Sequence, residues 1–458
     1  MKFHRVCALF FSLLLLLNLS VPALAADGDM GDWEVAAKAA LLADPDSGEI
    51  LYARNIHEKL YPASLTKVMT ALLVLEAVDS GKLTLDTVLA ASESAIANLP
   101  PDGSNAGIKV GESHTVSELL HCILVVSANE ACDILAEGVA GSVDAFVAQM
   151  NRRAAQLGCT NTNFMNTNGL QHVDHYSTAW DLYLIAREAR NHEIFMRICS
   201  TRYFELPVDE NTAPRKFYTT NYLISTSRNA DYLYKGANGI KTGSTSDAGY
   251  CLIASADRDA RSLLSVVLGA ERILLEDGSR DTQSFSQTVK LLDYGFDFFS
   301  RQVILSSDEL LDEVPVALSQ EQNTVKVHPA QEIERLIPVV VDPAKDILRT
   351  VTFHSESVDA PVEKGQVLGQ VTLSYGDTVY ATVDLLADED ISASRILVFQ
   401  RNMLLFLQKP IVKIAAIGVV VLIILIFILR LMFRSRRRRY GRGYGSNRHS
   451  GGYRGRRR

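Results

Sequence analysis

Cysteine is scarce in this chain of 458 residues: there are six, and Cys7 falls in an apolar leader. The other five, Cys122, Cys132, Cys159, Cys199 and Cys251, are odd in number and show no metal-like spacing. That excludes a disulfide framework and a cysteine-held metal centre, and leaves room for one disulfide among residues that otherwise read as small and buried. No metal and no cofactor are expected. Acidic residues are missing from 1–25 and from 430–458, which hold two and twelve of the 46 basic residues. Between them, 26–429 carries 32 basic against 53 acidic residues, a net −21. A segment this acidic does not suit direct binding of nucleic acid or anionic lipid.

The ends are processing and anchoring signals. Residues 1–25 combine Lys2 and Arg5 with an apolar stretch from Ala8 to Leu17 and Ala23-Leu24-Ala25, the pattern of a cleavable signal peptide. Residues 411–433 form an apolar run broken by Lys413 and by Arg430, which can snorkel, and about twenty residues suffice to cross a bilayer. Arginines crowd 434–458, so the positive-inside rule makes this tail cytoplasmic and the preceding chain extracytoplasmic. The tail's Arg/Gly/Tyr composition also resembles disordered RNA-binding segments. Beside a membrane span, a topology signal and lipid headgroup anchor is the plainer reading.

Three short motifs carry the chemistry. In Ser64-Leu65-Thr66-Lys67, residues three apart share a helix face if a helix begins near Pro62, which lets hydroxyl and amine touch. The following run Val68-Met69-Thr70-Ala71-Leu72-Leu73-Val74-Leu75 is apolar almost all round, as in a buried helix. Desolvation there would lower the Lys67 pKa and let the amine take the Ser64 proton. Ser127-Ala128-Asn129 breaks two apolar helical stretches and can present a hydroxyl and an amide to a cleft; helix capping is a compatible role. Ser227-Arg228-Asn229 repeats the spacing in a polar loop and is a decoy. Lys241-Thr242-Gly243-Ser244 sits where a strand should be and precedes a predicted hairpin, Gly249 to Ala256 and Leu263 to Leu268 about a turn at 257–259. On an edge strand it can bind a peptide by strand addition, with Lys241 and Thr242 facing a carboxylate and Gly243 permitting close approach. A backbone N–H near Ser244 would join that of Ser64 as an oxyanion donor. Ser-x-x-Lys arises by chance about once in a chain this long and Lys-Thr-Gly about once in ten such chains, so the information lies in the ordered triple.

That triple is a signature of class A β-lactamases and penicillin-binding proteins. With Thr162-Asn163-Phe164, Asn168-Gly169-Leu170, His175-Tyr176-Ser177-Thr178-Ala179 and Ala248-Gly249-Tyr250-Cys251, the chain resembles the D-alanyl-D-alanine carboxypeptidases of the low-molecular-mass penicillin-binding protein family. The resemblance implies Ser64 as acyl-enzyme nucleophile, Lys67 as its base, Ser127 and Asn129 as the second catalytic element, and Lys241 as binder of the substrate carboxylate. It also implies peptidoglycan stem peptides ending in D-Ala-D-Ala as substrates and β-lactam antibiotics as inhibitors. Family members often have Gly at Ala128 and His at Ser244, departures that remove no required group.

The expected fold class is α+β: a penicillin-recognising, β-lactamase/transpeptidase-like domain at 33–300, a small all-β sandwich at 301–395 serving as a stalk, and a C-terminal transmembrane helix. Residues 396–410 connect stalk to membrane. Thr178-Ala179-Trp180-Asp181 resembles a capping box. Two other functions compete with a penicillin-sensitive serine carboxypeptidase of cell-wall biogenesis. A class A β-lactamase would need a Glu-x-x-x-Asn between Asn129 and Lys241, which is absent. A non-catalytic wall-binding protein would have no use for an intact Ser64, Lys67, Ser127 and Lys241.

Overall fold

The computed structural model describes residues 34–439 apart from 98–99, 101–102, 209–211, 228 and 377, with backbone alone over 434–439. The leader at 1–25 and the tail beyond 439 lie outside the described residues.

An antiparallel sheet organises the first part of the chain. Its strands are β1 (Ala39–Ala43), β2 (Ile50–Arg54), β3 (Ala237–Thr245), β4 (Gly249–Arg258) and β5 (Arg261–Ala270), in the order β2-β1-β5-β4-β3. β1 and β2 pair as a hairpin about the turn at 44–48, with Leu41 opposite Ala53. Because successive side chains alternate faces, continuous apolar strands supply two cores. Leu41, Ile253, Val266 and Leu268 pack with the helices on one face; Leu42, Leu252, Ala254 and Val267 pack with Leu291, Leu292 and Phe296 on the other. On the first face α3 (Ala179–Ala189) lies against the sheet, and α1 (Lys67–Asp79) packs on α3 and on α2 (Asn129–Ala140); α4 (Gln283–Phe298) covers the second face. α1 is buried along nearly its whole length, as its sequence requires.

Local structure departs from expectation at several places. Residues Ala63–Thr66 form a 3-10 turn, and the α-helix starts only at Lys67. The stretch 116–126 is an α-turn, Val116–His121, continued by a π-helix, Cys122–Val126. Thr178 caps α3 through the Asp181 amide, but the Asp181 carboxylate accepts from Asn161 N and Thr162 Oγ1, so the box is not reciprocal. The reciprocal box is at Thr115 and Glu118. All five described cysteines are free and buried, which removes the disulfide.

The C-terminal part is all β until Ala387, with strands Asp312–Ala317, Thr324–Pro329, Leu348–Phe353, Val358–Asp359, Val367–Tyr375 and Thr378–Ala387 in one six-stranded sheet. Contacts divide the chain into two compact units. One runs to Ser306 and includes 331–350 and 372–382; the other comprises 307–330, 351–371 and 383 onward. Most of the expected connector, 396–410, falls in a helix, Arg395–Gln408, with Ile396, Phe399, Leu404 and Phe406 exposed. It is followed by an apolar helical stretch, Pro410–Phe433, long enough to cross a membrane, within which a window of 18 residues has mean hydropathy 3.2.

Candidate active site

The three motifs converge. Lys67 Nζ lies 2.9 Å from Ser64 Oγ, 2.8 Å from Asn129 Oδ1 and 2.7 Å from the carbonyl of Asn168. Ser64 is half-buried, whereas Lys67 is fully buried. Burial pushes the Lys67 pKa down, against the weaker opposing pull of Cys132, Asp133 and Glu130. Asn129 Oδ1 and the Asn168 carbonyl can only accept, so they take two N–H groups. A neutral amine held by those two bonds turns its lone pair toward the Ser64 hydroxyl, the geometry of a general base.

Backbone geometry presents these groups. Ala63 has φ +48° and Ser127 has φ +69°, both in the left-handed region that costs a side-chain-bearing residue about 1–3 kcal/mol. Ser127 ends the π-helix, and its own amide and that of Ala128 close back on Cys122 O. Ala128 is then extended and Asn129 opens α2. Among the described residues no hydrogen bond joins the Ser127 hydroxyl to Lys67 or Lys241; Ser127 is brought to the site by its backbone and is 4 % exposed. The decoy pair Ser227 and Asn229 is exposed and takes no part.

Strand β3 ends the sheet, so Lys241, Thr242, Gly243 and Ser244 lie on an edge, paired on one side only with Ile253, Leu252, Cys251 and Tyr250. A Cβ at Gly243 would stand 3.0 Å from Ser64 N and 3.2 Å from Pro62 O. Any other residue here would press on the backbone that carries Ser64, which would have to give by a few tenths of an ångström. Lys241 is buried and donates to the Thr242 carbonyl at 2.7 Å. Burial, reinforced by the charge of Lys67, lowers its pKa to about 7. Thr242 Oγ1 shares a 2.7 Å hydrogen bond with Thr220 Oγ1, and the Thr220 amide donates to Val125 O in the π-helix. Ser244 is exposed.

Several supporting groups carried no role in the sequence reading. Asn168 supplies the third contact of Lys67. Its loop is fixed by Thr70, which donates to Thr167 O at 2.6 Å, and by Thr167, whose hydroxyl donates to Asp133. Buried Glu130 accepts from Ala106 N at 2.6 Å, and Asn129 N donates to Ser104 O, which pins 104–108 beside the second motif. Main-chain carbonyls and amides leave no mark in a one-dimensional pattern, and Asn168 was visible only as part of Asn168-Gly169-Leu170. No group of His, Cys, Asp and Glu able to hold a metal occurs among the described residues.

A half-exposed serine, a buried amine at hydrogen-bond distance and a strand edge lie together on an α+β scaffold, an arrangement suited to acyl transfer through an active serine. Residues 25–272 match the family described as D-alanyl-D-alanine carboxypeptidase, and 299–393 match the penicillin-binding protein 5 C-terminal domain. The chain belongs to the D-alanyl-D-alanine carboxypeptidase family. It is 33% identical to D-alanyl-D-alanine carboxypeptidase DacF of Bacillus subtilis over 366 residues, covering 80% of this chain and 88% of that protein. With DacC of Escherichia coli the identity is 32%, over 74% and 80%. Among solved structures, penicillin-binding protein 5 of Haemophilus influenzae superposes with TM-score 0.60 at 30% identity, over 79% of this chain and 98% of that one. Carboxypeptidase DacD of Francisella tularensis gives 0.65 at 25%, over 79% and 95%.

Proposed function

We propose that this chain is a serine-type, penicillin-sensitive D-Ala-D-Ala carboxypeptidase that trims peptidoglycan stem peptides outside the cell. Family membership supports the reaction class, and the observation that carries the mechanism is the three-way contact of buried Lys67 with Ser64, Asn129 and Asn168. In this reading neutral Lys67 removes the Ser64 proton as Oγ attacks the carbonyl between the two D-alanines. The oxyanion is received by backbone N–H groups of Ser64 and near Ser244. Lys241 and the Thr242 hydroxyl hold the terminal carboxylate while the substrate backbone lies along β3. Ser127 relays a proton to the leaving amine, D-alanine departs, and water hydrolyses the acyl-Ser64 ester. A β-lactam enters the same path and stops at the acyl-enzyme.

The C-terminal strands serve in this proposal as a stalk, and the apolar stretch within 410–433 as a single membrane span with the catalytic part outside. Incubating the full-length protein with fluorescent penicillin, and separately with a stem pentapeptide, tests the reaction: wild type should label and release D-alanine, and Ser64→Ala should do neither. Label on Ser64→Ala would overturn the nucleophile assignment. Protease added outside intact cells should remove the part carrying Ser64 and spare the arginine-rich tail; cleavage of the tail from outside would reverse the topology.

A further inference from the structure

We infer that His175 and Thr66 are positioning residues for acyl transfer: a one-way hydrogen-bond chain from the Met165 amide through both side chains to the Ala63 carbonyl holds the turn bearing Ser64 against the loop bearing Asn168. The inference rests on Ser64 being the nucleophile.

The direction of the chain follows from its two ends. Met165 N can only donate, and it lies 3.1 Å from His175 Nδ1, so that nitrogen is the acceptor. The ring proton is therefore on Nε2, which stands 2.8 Å from Thr66 Oγ1. The Thr66 hydroxyl passes its own proton to the Ala63 carbonyl at 2.9 Å. His175 is 2 % exposed and Thr66 fully buried, so water cannot substitute for either link. Burial, with the charges of His172 and Lys67, pushes the His175 pKa down to about 4, which keeps the ring in the neutral tautomer the chain requires.

What the chain holds is the unusual part of the site. Ala63 is left-handed, a conformation that survives only where its surroundings enforce it. Its carbonyl is gripped by Thr66 and faces Gly169, where a Cβ would stand 1.8 Å from Ala63 O. The residue before Gly169 is Asn168, whose carbonyl holds Lys67. His175 belongs to the same loop, which is anchored by Phe164: its ring packs edge-on against His175 at 5.7 Å and its amide donates to Asn151 Oδ1 at 2.8 Å. Slack at His175 or Thr66 would thus move Ser64 and the acceptor of Lys67 relative to each other, and displacement of reacting groups by about 1 Å can cost about a hundredfold in rate.

The test uses the full-length protein in detergent and compares His175→Leu, Thr66→Val and their double mutant with the conservative His175→Gln and Thr66→Ser. Time courses with fluorescent penicillin at several concentrations separate the acylation rate constant from non-covalent binding, and end-point stoichiometry gives the folded, active fraction. Thr66→Val and His175→Leu should each slow acylation about 10–100-fold, with non-covalent binding changed less than about threefold. His175→Gln and Thr66→Ser, which keep a donor to Thr66 and a hydroxyl, should stay within about threefold of wild type, and the double mutant should lose no more than the worse single, since both cut one chain. A Thr66→Val enzyme that labels fully at the wild-type rate, whatever its melting temperature, would overturn the inference and leave the pair a satisfied core contact. Thr66→Val is nearly isosteric, so it decides the matter if His175→Leu does not fold. Failure of the nucleophile assignment itself would show separately, as label on Ser64→Ala.

Discussion

The catalytic part and the C-terminal strands bury different things. Around the site the interior holds Thr66, Lys67, Thr70, Ser127, Asn129, Glu130, Thr167, Asn168, His175 and Lys241, whereas over 312–387 the buried polar side chains among the described residues are Ser319 and Thr378. In Val367–Tyr375 and Thr378–Ala387, Leu368, Val371, Leu373, Val383, Leu385 and Ala387 are buried, as expected of strands held by apolar burial. Each buried amine costs desolvation that such strands avoid; in the proposed mechanism that cost is what makes Lys67 a base, since a solvated lysine could not act as one at neutral pH. One region is organised for stability, the other accepts instability where chemistry needs it.

The hardest way to break that contrast is to remove the amine. Lys67→Ala should lower acylation by penicillin and by peptide alike by about a thousandfold or more, because both need the same activated hydroxyl. The protein should nonetheless fold, since a buried, desolvated lysine is replaced by an apolar methyl. Acylation time courses beside a thermal melt check both halves; near-wild-type acylation would remove Lys67 from the base role.

Next in size is Lys241. Lys241→Ala should cost about 30- to 1,000-fold in kcat/KM on a free-acid D-Ala-D-Ala peptide, the worth of a charged contact in a partly desolvated site, and much less on its C-terminal amide. Equal losses on both would move Lys241 into proton transfer or tuning of Lys67. With its pKa at about 7, the wild-type advantage of free acid over amide should shrink as pH rises above that value. Activity should also fall toward acid as Lys67 takes up a proton, its own pKa being lowered but not abolished.

These experiments act on residues already readable in the chain, because covalent chemistry constrains residue type and spacing together. Ser64, Lys67, Ser127, Asn129, Lys241 and Gly243 were found as patterns, whereas the edge position of β3 depends on the order of the whole sheet. The supporting geometry was not readable. A 3-10 turn at 63–66 in place of an α-helical start, and a π-helix delivering Ser127 in a left-handed conformation, are tertiary choices that propensity does not encode. Asn168 acts through a carbonyl every residue possesses, and Glu130 through two amides of a distant loop. In the C-terminal strands, short Val-rich runs separated by turns, as at 338–341 and 362–371, make the β character legible, while the order of the six-stranded sheet depends on pairings that no local pattern names.

The contrast sharpens if the C-terminal strands are damaged instead. Leu385 is fully buried, and Leu385→Ala should destabilise by about 2–4 kcal/mol through lost transfer energy and a residual cavity. Acylation by the folded fraction should be unchanged, read as equal rate constants at reduced melting temperature. A slowed acylation rate would show that these strands tune the site.

The smallest expected effect is a pH signature confined to the catalytic part. Lys241 has a folded pKa of about 7 against an ordinary 10.5. Between those values the unfolded chain holds a proton that the folded chain does not, so this lysine makes stability rise with pH across that window, and below about 7 its penalty is fully present. Lys241→Met removes the penalty. The gain in melting temperature should therefore be largest below pH 7, on the order of 2–4 °C for each kcal/mol recovered, and should shrink as pH climbs toward 10.5. Nearer pH 5 two other buried groups interfere with opposite signs. His175, at about 4, also makes stability rise with pH below 6.5, while Asp133, raised to about 6, makes it fall between 3.8 and 6. Above pH 7 Lys67, lowered from 10.5 by burial, and the five buried thiols, raised from 9.0 by burial, change stability as well, so the quantity that isolates Lys241 is the difference between wild type and Lys241→Met. A gain independent of pH there would mean that the buried amine is already paired as an ammonium in the free enzyme, and the cost of holding it would have to be sought in packing and not in charge.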